Sequence, residues 1–319
     1  MNYRKDCGVA IVIFTMLSMV WGTTWLAIKI SLEGLPPFLG ATARFVVAIS
    51  LLAIYALIKR ISLKIPRQDF GKIFLTSFLM YTFDYGLVYW GEQYLSAGVT
   101  AIFFATFPIF VGIFSNFVIR NEPFLMSKFL GIFLGFAGVL FIFYDQLIKT
   151  HFDTMIIFAT LAIILGAAGG ALSTVLVKKY FLHYRAVPLT LHQMLWGILV
   201  LALIGLLQGE ARAIQPTPRV MVAVLYLGAV GSAFAFVGYY WLLQNISAIT
   251  LSLIIYITPV IALVIDWVLY GDAINLRMVV GIIMIFLGIA LSQLEEYRQF
   301  FRKRRMAYEP VSQPKKSLR

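Results

Sequence analysis

The sequence predicts an all-α membrane protein whose ten transmembrane helices form two inverted five-helix repeats. Three observations lead there: an apolar composition too rich for a soluble core, its delivery in blocks of membrane-spanning length, and one aromatic, glycine and proline pattern that occurs in both halves. Of 319 residues, 61% are hydrophobic and only 13% charged, where an average soluble domain has roughly a quarter of its residues charged. The apolar residues come in runs of about twenty, the length at which a helix rising about 1.5 Å per residue crosses roughly 30 Å of hydrocarbon. Lipid is therefore the solvent that this chain is built for.

Breaks rich in charge or turn residues divide the chain into spans at 9–30, 38–58, 70–90, 97–119 and 126–144. After the polar stretch 145–154, further spans follow at 155–177, 188–207, 220–243, 247–269 and 276–294. The first block runs on through Trp21 without a small-residue cleavage site, so it reads as a retained helix rather than a signal peptide. Cys7 is the only cysteine, and His151, His183 and His192 are dispersed, so neither a disulfide nor a metal site is expected. No Gly-x-x-x-x-Gly-Lys-Ser/Thr cradle for nucleotide phosphates is present, which argues against ATP hydrolysis by this chain, and no cofactor is expected.

A net charge of +12 would suit a nucleic-acid partner if the basic residues formed one patch, but they lie between the apolar blocks and in the tail. Topology explains them better. With a cytoplasmic amino terminus, the inner segments hold Arg4, Lys5, Lys59, Arg60, Lys64, Arg67, Lys72, Arg120, Lys128, Lys178, Lys179, Arg185 and the basic tail. The outer segments hold only Lys29, Lys149, Arg212, Arg219 and Arg277. Because positive loops resist translocation, both termini are expected to be cytoplasmic. The partner that follows is a lipid bilayer, not nucleic acid. Arg298 to Arg305 read either as a charged continuation of the last helix against anionic headgroups or as a solvated tail.

The segment Tyr89-Trp90-Gly91-Glu92-Gln93-Tyr94-Leu95-Ser96-Ala97 recurs as Tyr240-Trp241-Leu242-Leu243-Gln244-Asn245-Ile246-Ser247-Ala248, and the same spacing carries Pro108 onto Pro259. With a one-residue deletion, Glu122 falls on Asp272, Gly131 on Gly281 and Gly138 on Gly288. The expected organisation is a first repeat over 1–144, a second over 145–294 and a basic tail over 295–319. Since five is odd, the second half must enter the membrane in the opposite sense, an arrangement that can rock about a midplane site.

On these residues the chain resembles the drug/metabolite transporter superfamily, and within it the ten-helix EamA-type branch of metabolite exporters. The resemblance is carried by Ser18 with Trp21-Gly22-Thr23-Thr24-Trp25, by Ala43-Arg44-Phe45, by Ser96-Ala97-Gly98, by Pro108, and by Glu122 ahead of Gly131 and Gly138. It implies two EamA-like repeats, a central cavity lined from both halves, and export of amino acids or related small metabolites across a bacterial inner membrane. The second half departs from the first, with Gly170-Ala171-Leu172-Ser173 standing where Trp21-Gly22-Thr23-Thr24 would fall and Gln193 where Arg44 would.

Candidate substrate contacts are polar or aromatic residues that share helix faces. In the third span Tyr81, Asp84, Tyr85 and Tyr89 are three and four residues apart. An ionised Asp facing lipid costs about 2.5 to 3.5 kcal/mol on insertion scales, so Asp84 is expected to face the bundle. There it either binds an ammonium group or a proton, or accepts hydrogen bonds from neighbouring hydroxyls. In the first span Ser18, Trp21, Gly22, Trp25 and Lys29 share a face, the Trp rings reading either as cavity walls or as an interfacial belt. Ser232, Phe236 and Tyr240, with Ser252, Tyr256 and Pro259, form stripes that suit a cavity or a core equally. Thr24 and Ser173 complete the polar candidates. Arg44 reads as an anchor that snorkels outward or pairs with Glu33 or Asp84, in preference to a substrate-carboxylate contact. Asp266 is expected at interfacial water.

The function these readings favour is secondary export of small neutral or zwitterionic metabolites, either proton-coupled or uniport-like, with drug-like solutes as an extension. It is favoured over a membrane-embedded enzyme acting on lipid-linked substrates, which should cluster acids or histidines at a membrane face, and over a non-catalytic interaction protein, which needs no repeat. Topology is directly testable: reporters fused after Arg120, Arg185 and Arg305 should read cytoplasmic, and those after Thr150 and Arg212 external. An external reading at Arg305 would remove the ten-helix reading.

Overall fold

A peptide group in hydrocarbon must find its hydrogen-bond partner within the protein, so each apolar block is forced into a helix. The computed structural model describes residues 3–119, 125–270 and 275–308, with side chains over 8–119, 125–264 and 275–294. Glu122, Asp272 and Arg120 lie outside the described residues, as do the side chains of Arg4, Lys5, Cys7, Asp266 and the basic tail.

Ten helical spans run through the described residues: α1 (Tyr3–Ser31), α2 (Pro37–Ile58), α3 (70–92), α4 (Ala97–Val118), α5 (Met126–Ile142), α6 (Thr154–Tyr180), α7 (Ala186–Leu207), α8 (Pro218–Asn245), α9 (248–270) and α10 (Leu276–Tyr308). Seven of them are long and apolar enough to cross a bilayer by composition alone. Met126–Ile142 and Ala248–Val264 are shorter apolar helices, and α3 carries the tyrosines and Asp84 that lower its hydropathy. The sequence boundaries hold to within a few residues except at the two ends, where α1 begins at Tyr3 and α10 continues to Tyr308. Starts follow local chemistry. The Ser96 and Ser247 side chains accept from Val99 and Thr250, the Asp153 side chain accepts from Ile156, and prolines open α2 and α8.

The packing obeys a two-fold exchange of the halves. Helix α1 packs on α8 and α9, as α6 packs on α3 and α4; α2 lies against α7, and α5 against α10. The α5/α10 seam is reciprocal in detail. A Cβ on Gly138 would lie 2.6 Å from the Gly281 carbonyl oxygen, and one on Gly281 would lie 2.6 Å from that of Gly138. Gly131 and Gly288 stand in the same relation, so backbones touch where any side chain would hold them apart. The outward faces present apolar residues such as Leu57, Phe117, Leu207 and Leu276.

Two irregularities repeat as well. A π-helical turn interrupts α3 at Phe78–Asp84 and α8 at Ala229–Phe234. Helix α4 breaks at Ala105 and Thr106, just ahead of Pro108, and α9 at Leu253, ahead of Pro259. Proline removes the donor for the carbonyl four residues back. For Pro259 that carbonyl belongs to Ile255, and the Thr258 hydroxyl donates to it at 3.0 Å.

The seam sets a clear expectation. Gly138→Leu or Gly281→Leu should separate α5 from α10 at a cost of about 1–3 kcal/mol or more, seen as a lower melting temperature and lower yield of dispersed protein. Full yield from both variants would mean that the seam does not hold the halves together.

Candidate functional site

Helices from both halves converge and leave a cavity between them. Its wall is mainly aromatic and aliphatic, with Trp21, Trp25 and Ile28 from α1, Tyr85 and Val88 from α3, Phe104 and Phe107 from α4, and Phe236 and Tyr239 from α8. The rings meet each other. Trp21 lies 5.9 Å from Phe236 and 5.3 Å from Tyr239, Tyr85 lies 6.0 Å from Phe236, and Trp25 lies 5.2 Å from Phe104. Polar groups are few: Thr24, Arg44, Asp84, Ser252 and Thr258.

Arg44 is the main departure from the sequence reading. It does not snorkel; it is buried, and its Nε donates to Ser232 Oγ at 2.6 Å while Nη2 donates to the Gly231 carbonyl at 2.9 Å. Both acceptors sit in the π turn of α8, so α2 of one half is tied to the irregular turn of the other. The guanidinium lies 4.8 Å from the Tyr85 ring centroid and 5.6 Å from that of Phe45. Glu33 pairs instead with Arg219 at 3.3 Å, and among the described residues no ion pair joins Arg44 to Asp84. The Trp21 Nε1 also donates to the Gly231 carbonyl, at 3.3 Å.

Asp84 closes the π turn of α3, buried against Gly166 and Gly170 of α6, and its Oδ1 meets no hydrogen-bond partner. The cavity thus holds one guanidinium, from α2, and one carboxyl group, from α3.

Of the residues singled out from sequence, Trp21, Thr24, Trp25, Asp84, Tyr85 and Phe236 line this cavity. Ser18, Tyr81, Ser173, Tyr240 and Tyr256 lie outside the lining. Ser18 donates back to the Phe14 carbonyl at 2.9 Å, and Ser173 donates to that of Thr76 at 2.7 Å. Tyr81 and Tyr240 bond to each other behind the cavity at 3.2 Å, and Tyr256 donates to the Ile132 carbonyl at 3.0 Å in the packing with α5. Tyr81 keeps the face of Tyr85, its ring stacked on that ring at 6.3 Å, and forms a second layer of the wall against Phe236 at 5.1 Å, whereas Tyr256, beyond the break at Leu253, is turned toward α5.

Tyr239, Phe104 and Phe107 were missed by the sequence reading. The repeat itself signals them, because the spacing that carries Tyr89 onto Tyr240 carries Val88 onto Tyr239, Phe104 onto Ile255 and Phe107 onto Thr258, and every member of these pairs lines the cavity. Tyr239 is further held by a 2.9 Å hydroxyl contact with Thr174.

Each end of the bundle is closed by matching contacts. At one end Lys29 Nζ donates to the carbonyls of Glu92 and Leu95 at 2.7 and 2.8 Å; at the other, Lys178 Nζ donates to those of Leu243 and Ile246 at 2.7 Å each. The Glu33–Arg219 pair has its counterpart in Tyr184, whose hydroxyl donates to Asp69 Oδ2 at 2.6 Å. Partial burial, with that bond to the carboxylate, pushes the Tyr184 phenol up to about 12.

The comparisons with known proteins agree with this architecture. The profile of the EamA-like transporter family matches residues 9–144 and again 157–294. The uncharacterized transporter YoaV of Bacillus subtilis is 26% identical over 86% of this chain and 94% of its own length. Protein PagO of Salmonella typhimurium is 28% identical over 88% of this chain and 91% of its own. The uncharacterized inner membrane transporter YedA of Escherichia coli is 25% identical, with 88% and 89% covered. A protein of known crystal structure superposes with a TM-score of 0.77 over 91% of this chain and 98% of its own at 18% identity, a likeness of fold.

The tie between the halves is testable. Arg44→Met should lower the melting temperature by the equivalent of about 1.5–3 kcal/mol, the worth of hydrogen bonds from a charged donor, and Arg44→Lys should restore only part of it because a point charge lacks the planar fork. A full recovery by Lys would show that charge alone is needed.

Proposed function

Because the chain belongs to the EamA-like transporter family, and so is a multi-pass membrane transporter, we propose that it exports small neutral or zwitterionic metabolites by alternating access through the aromatic cavity. Amino acids and related compounds are the leading substrates, with drug-like solutes accepted by the same walls. The observation that carries this reading is the unpaired couple of Arg44 and Asp84 in one cavity. A buried guanidinium and a buried carboxyl group that are not joined to each other suit a solute that brings both signs with it, its carboxylate toward Arg44 and its ammonium toward the Asp84 carboxyl, which the arriving cation would hold ionised. The rings of Trp21, Trp25, Tyr85, Phe236 and Tyr239 stabilise the apolar remainder by surface burial, which favours breadth over selectivity.

The same reading places both termini in the cytoplasm of a bacterial inner membrane, assigns the two repeats to 1–144 and 145–294 with a basic tail after them, and takes protons as the coupling ion. It assigns no catalytic residue, in preference to an enzyme acting on lipid-linked substrates or a non-transporting interaction protein.

The experiment is uptake of radiolabelled L-leucine and L-phenylalanine, each beside its N-acetyl derivative, into proteoliposomes. Wild type should favour the free amino acid. Asp84→Asn should lose that preference by about tenfold, roughly 1.4 kcal/mol, because the acetylated compound has no ammonium to lose. Trp25→Ala and Tyr85→Ala should change KM more than protein yield. Equal handling of free and acetylated compounds by wild type would defeat the zwitterion assignment.

A further inference from the structure

Glu92 ends α3, outside the cavity lining. It is fully buried, and neither carboxyl oxygen meets a hydrogen-bond donor. The charged groups that act on it are Lys29 from α1 and Arg44 from α2, and Tyr89 stands one turn back on its own helix. Helices α4 and α6 also pack on this end of α3 and bring no titratable side chain to it among the described residues. Neither cation is paired with it. Lys29 donates to the carbonyls of Glu92, Gln93 and Leu95. Arg44 gives Nε and Nη2 to the π turn of α8, and the Tyr89 hydroxyl lies close to Arg44 and to Ser31.

The fold does not require a carboxyl at this position. The repeat places Leu243 where Glu92 stands, and Lys178 caps that helix end through the same carbonyl pattern. A buried carboxylate without donors is far costlier than the neutral acid, so this arrangement is that of a protonated side chain. Loss of the proton would set an anion within electrostatic reach of Arg44 and pull on the guanidinium held by Ser232 and Gly231. Charge at Glu92 is thereby linked to the tie between the two halves and to a wall of the cavity.

We propose that Glu92 is the proton-binding site that couples transport to proton movement, acting on the cavity through Arg44; this rests on the transporter reading above. The step is a simple exchange in which the Glu92 carboxyl gives its proton to water at that end of the bundle, becomes a carboxylate, and later takes a proton back, with no other bond made or broken. Asp84 is left to the substrate.

The test uses the full chain in proteoliposomes. Infrared difference spectra between acid and alkaline buffer report protonated carboxyl groups without any substrate, and E92Q should lack one component that D84N retains. With L-leucine and L-phenylalanine as probes, wild type should accumulate solute about tenfold per unit of imposed pH gradient if one proton moves per solute. E92Q should fall to no gradient-driven accumulation, and D84N should keep the gradient response at raised KM. An E92Q spectrum identical to wild type, or an unchanged gradient response, overturns the proposal. If E92Q is not recovered folded, E92D must shift the same infrared component, and an unshifted component overturns it equally. If neither amino acid moves in wild type, the transport reading fails for this solute class while the infrared result still decides the role of Glu92.

Discussion

Lipid offers a peptide group nothing to bond to, so every interruption of a helix within the bundle must be met by a donor from the protein itself. This chain interrupts its helices at two π turns, two breaks near proline and the helix ends, and side chains from neighbouring spans answer several of these. Lys29 and Lys178 cap the ends of α3 and α8. Arg44 and Trp21 satisfy Gly231, Ser173 satisfies Thr76 just ahead of the first π turn, and Thr258 satisfies the carbonyl that Pro259 leaves open. The polar residues of an otherwise apolar protein are placed by that requirement first, and the cavity is built around what remains.

The two halves solve the requirement with the same geometry and different side chains. Where α1 carries Trp21 and Trp25, the matching stretch of α6 carries Gly170 and Thr174, and the consequence is opposite packing. Gly166, Gly169 and Gly170 let α6 close on the π turn of α3, whereas the indoles hold α1 open. The cavity therefore borders α1, and α6 contributes nothing to its lining. Arg44 and Gln193 show the same division, for Arg44 reaches across to the π turn of α8 while Gln193 donates to Thr76 at 2.6 Å ahead of the π turn of α3. Both charged groups of the cavity, Arg44 and Asp84, come from the first half.

The spans, their order and the inverted repeat were legible because lipid imposes one strong rule on composition and length, and because Tyr89-Trp90 and Tyr240-Trp241 fix the register between halves. The glycines aligned from sequence, Gly131 with Gly281 and Gly138 with Gly288, meet across the α5/α10 seam as the two-fold demands. Side-chain direction was less legible. Asp84 and Tyr85 were placed in the cavity by helical spacing; Tyr81 shares their face but lies one layer behind, stacked on Tyr85, and Tyr256 was misplaced because nothing around Leu253 announces a break in the helix. Arg44 was read as an anchor near the surface because a lone Arg in an apolar run finds water more cheaply than a partner. Its partners, a carbonyl and a hydroxyl in a π turn far along the chain, leave no mark in the sequence around it.

Contacts between the halves fall into two kinds, and the difference bears on movement. The α5/α10 seam is backbone against backbone, centred on glycines that are symmetric about the axis, and opening it would expose close-packed surface with no substitute partner. The contacts around the cavity are single donors, such as Arg44 on Ser232 and Gly231, or Trp21 on Gly231, and each can exchange its acceptor for water or a solute group without loss of a helix. Under the alternating-access reading proposed above, the seam is the natural pivot and the single-donor ties are the parts that change. A solute carboxylate at Arg44 would then do more than bind. It would compete for the guanidinium that ties α2 to α8, so the group that recognises the solute is also the group whose release lets the halves move.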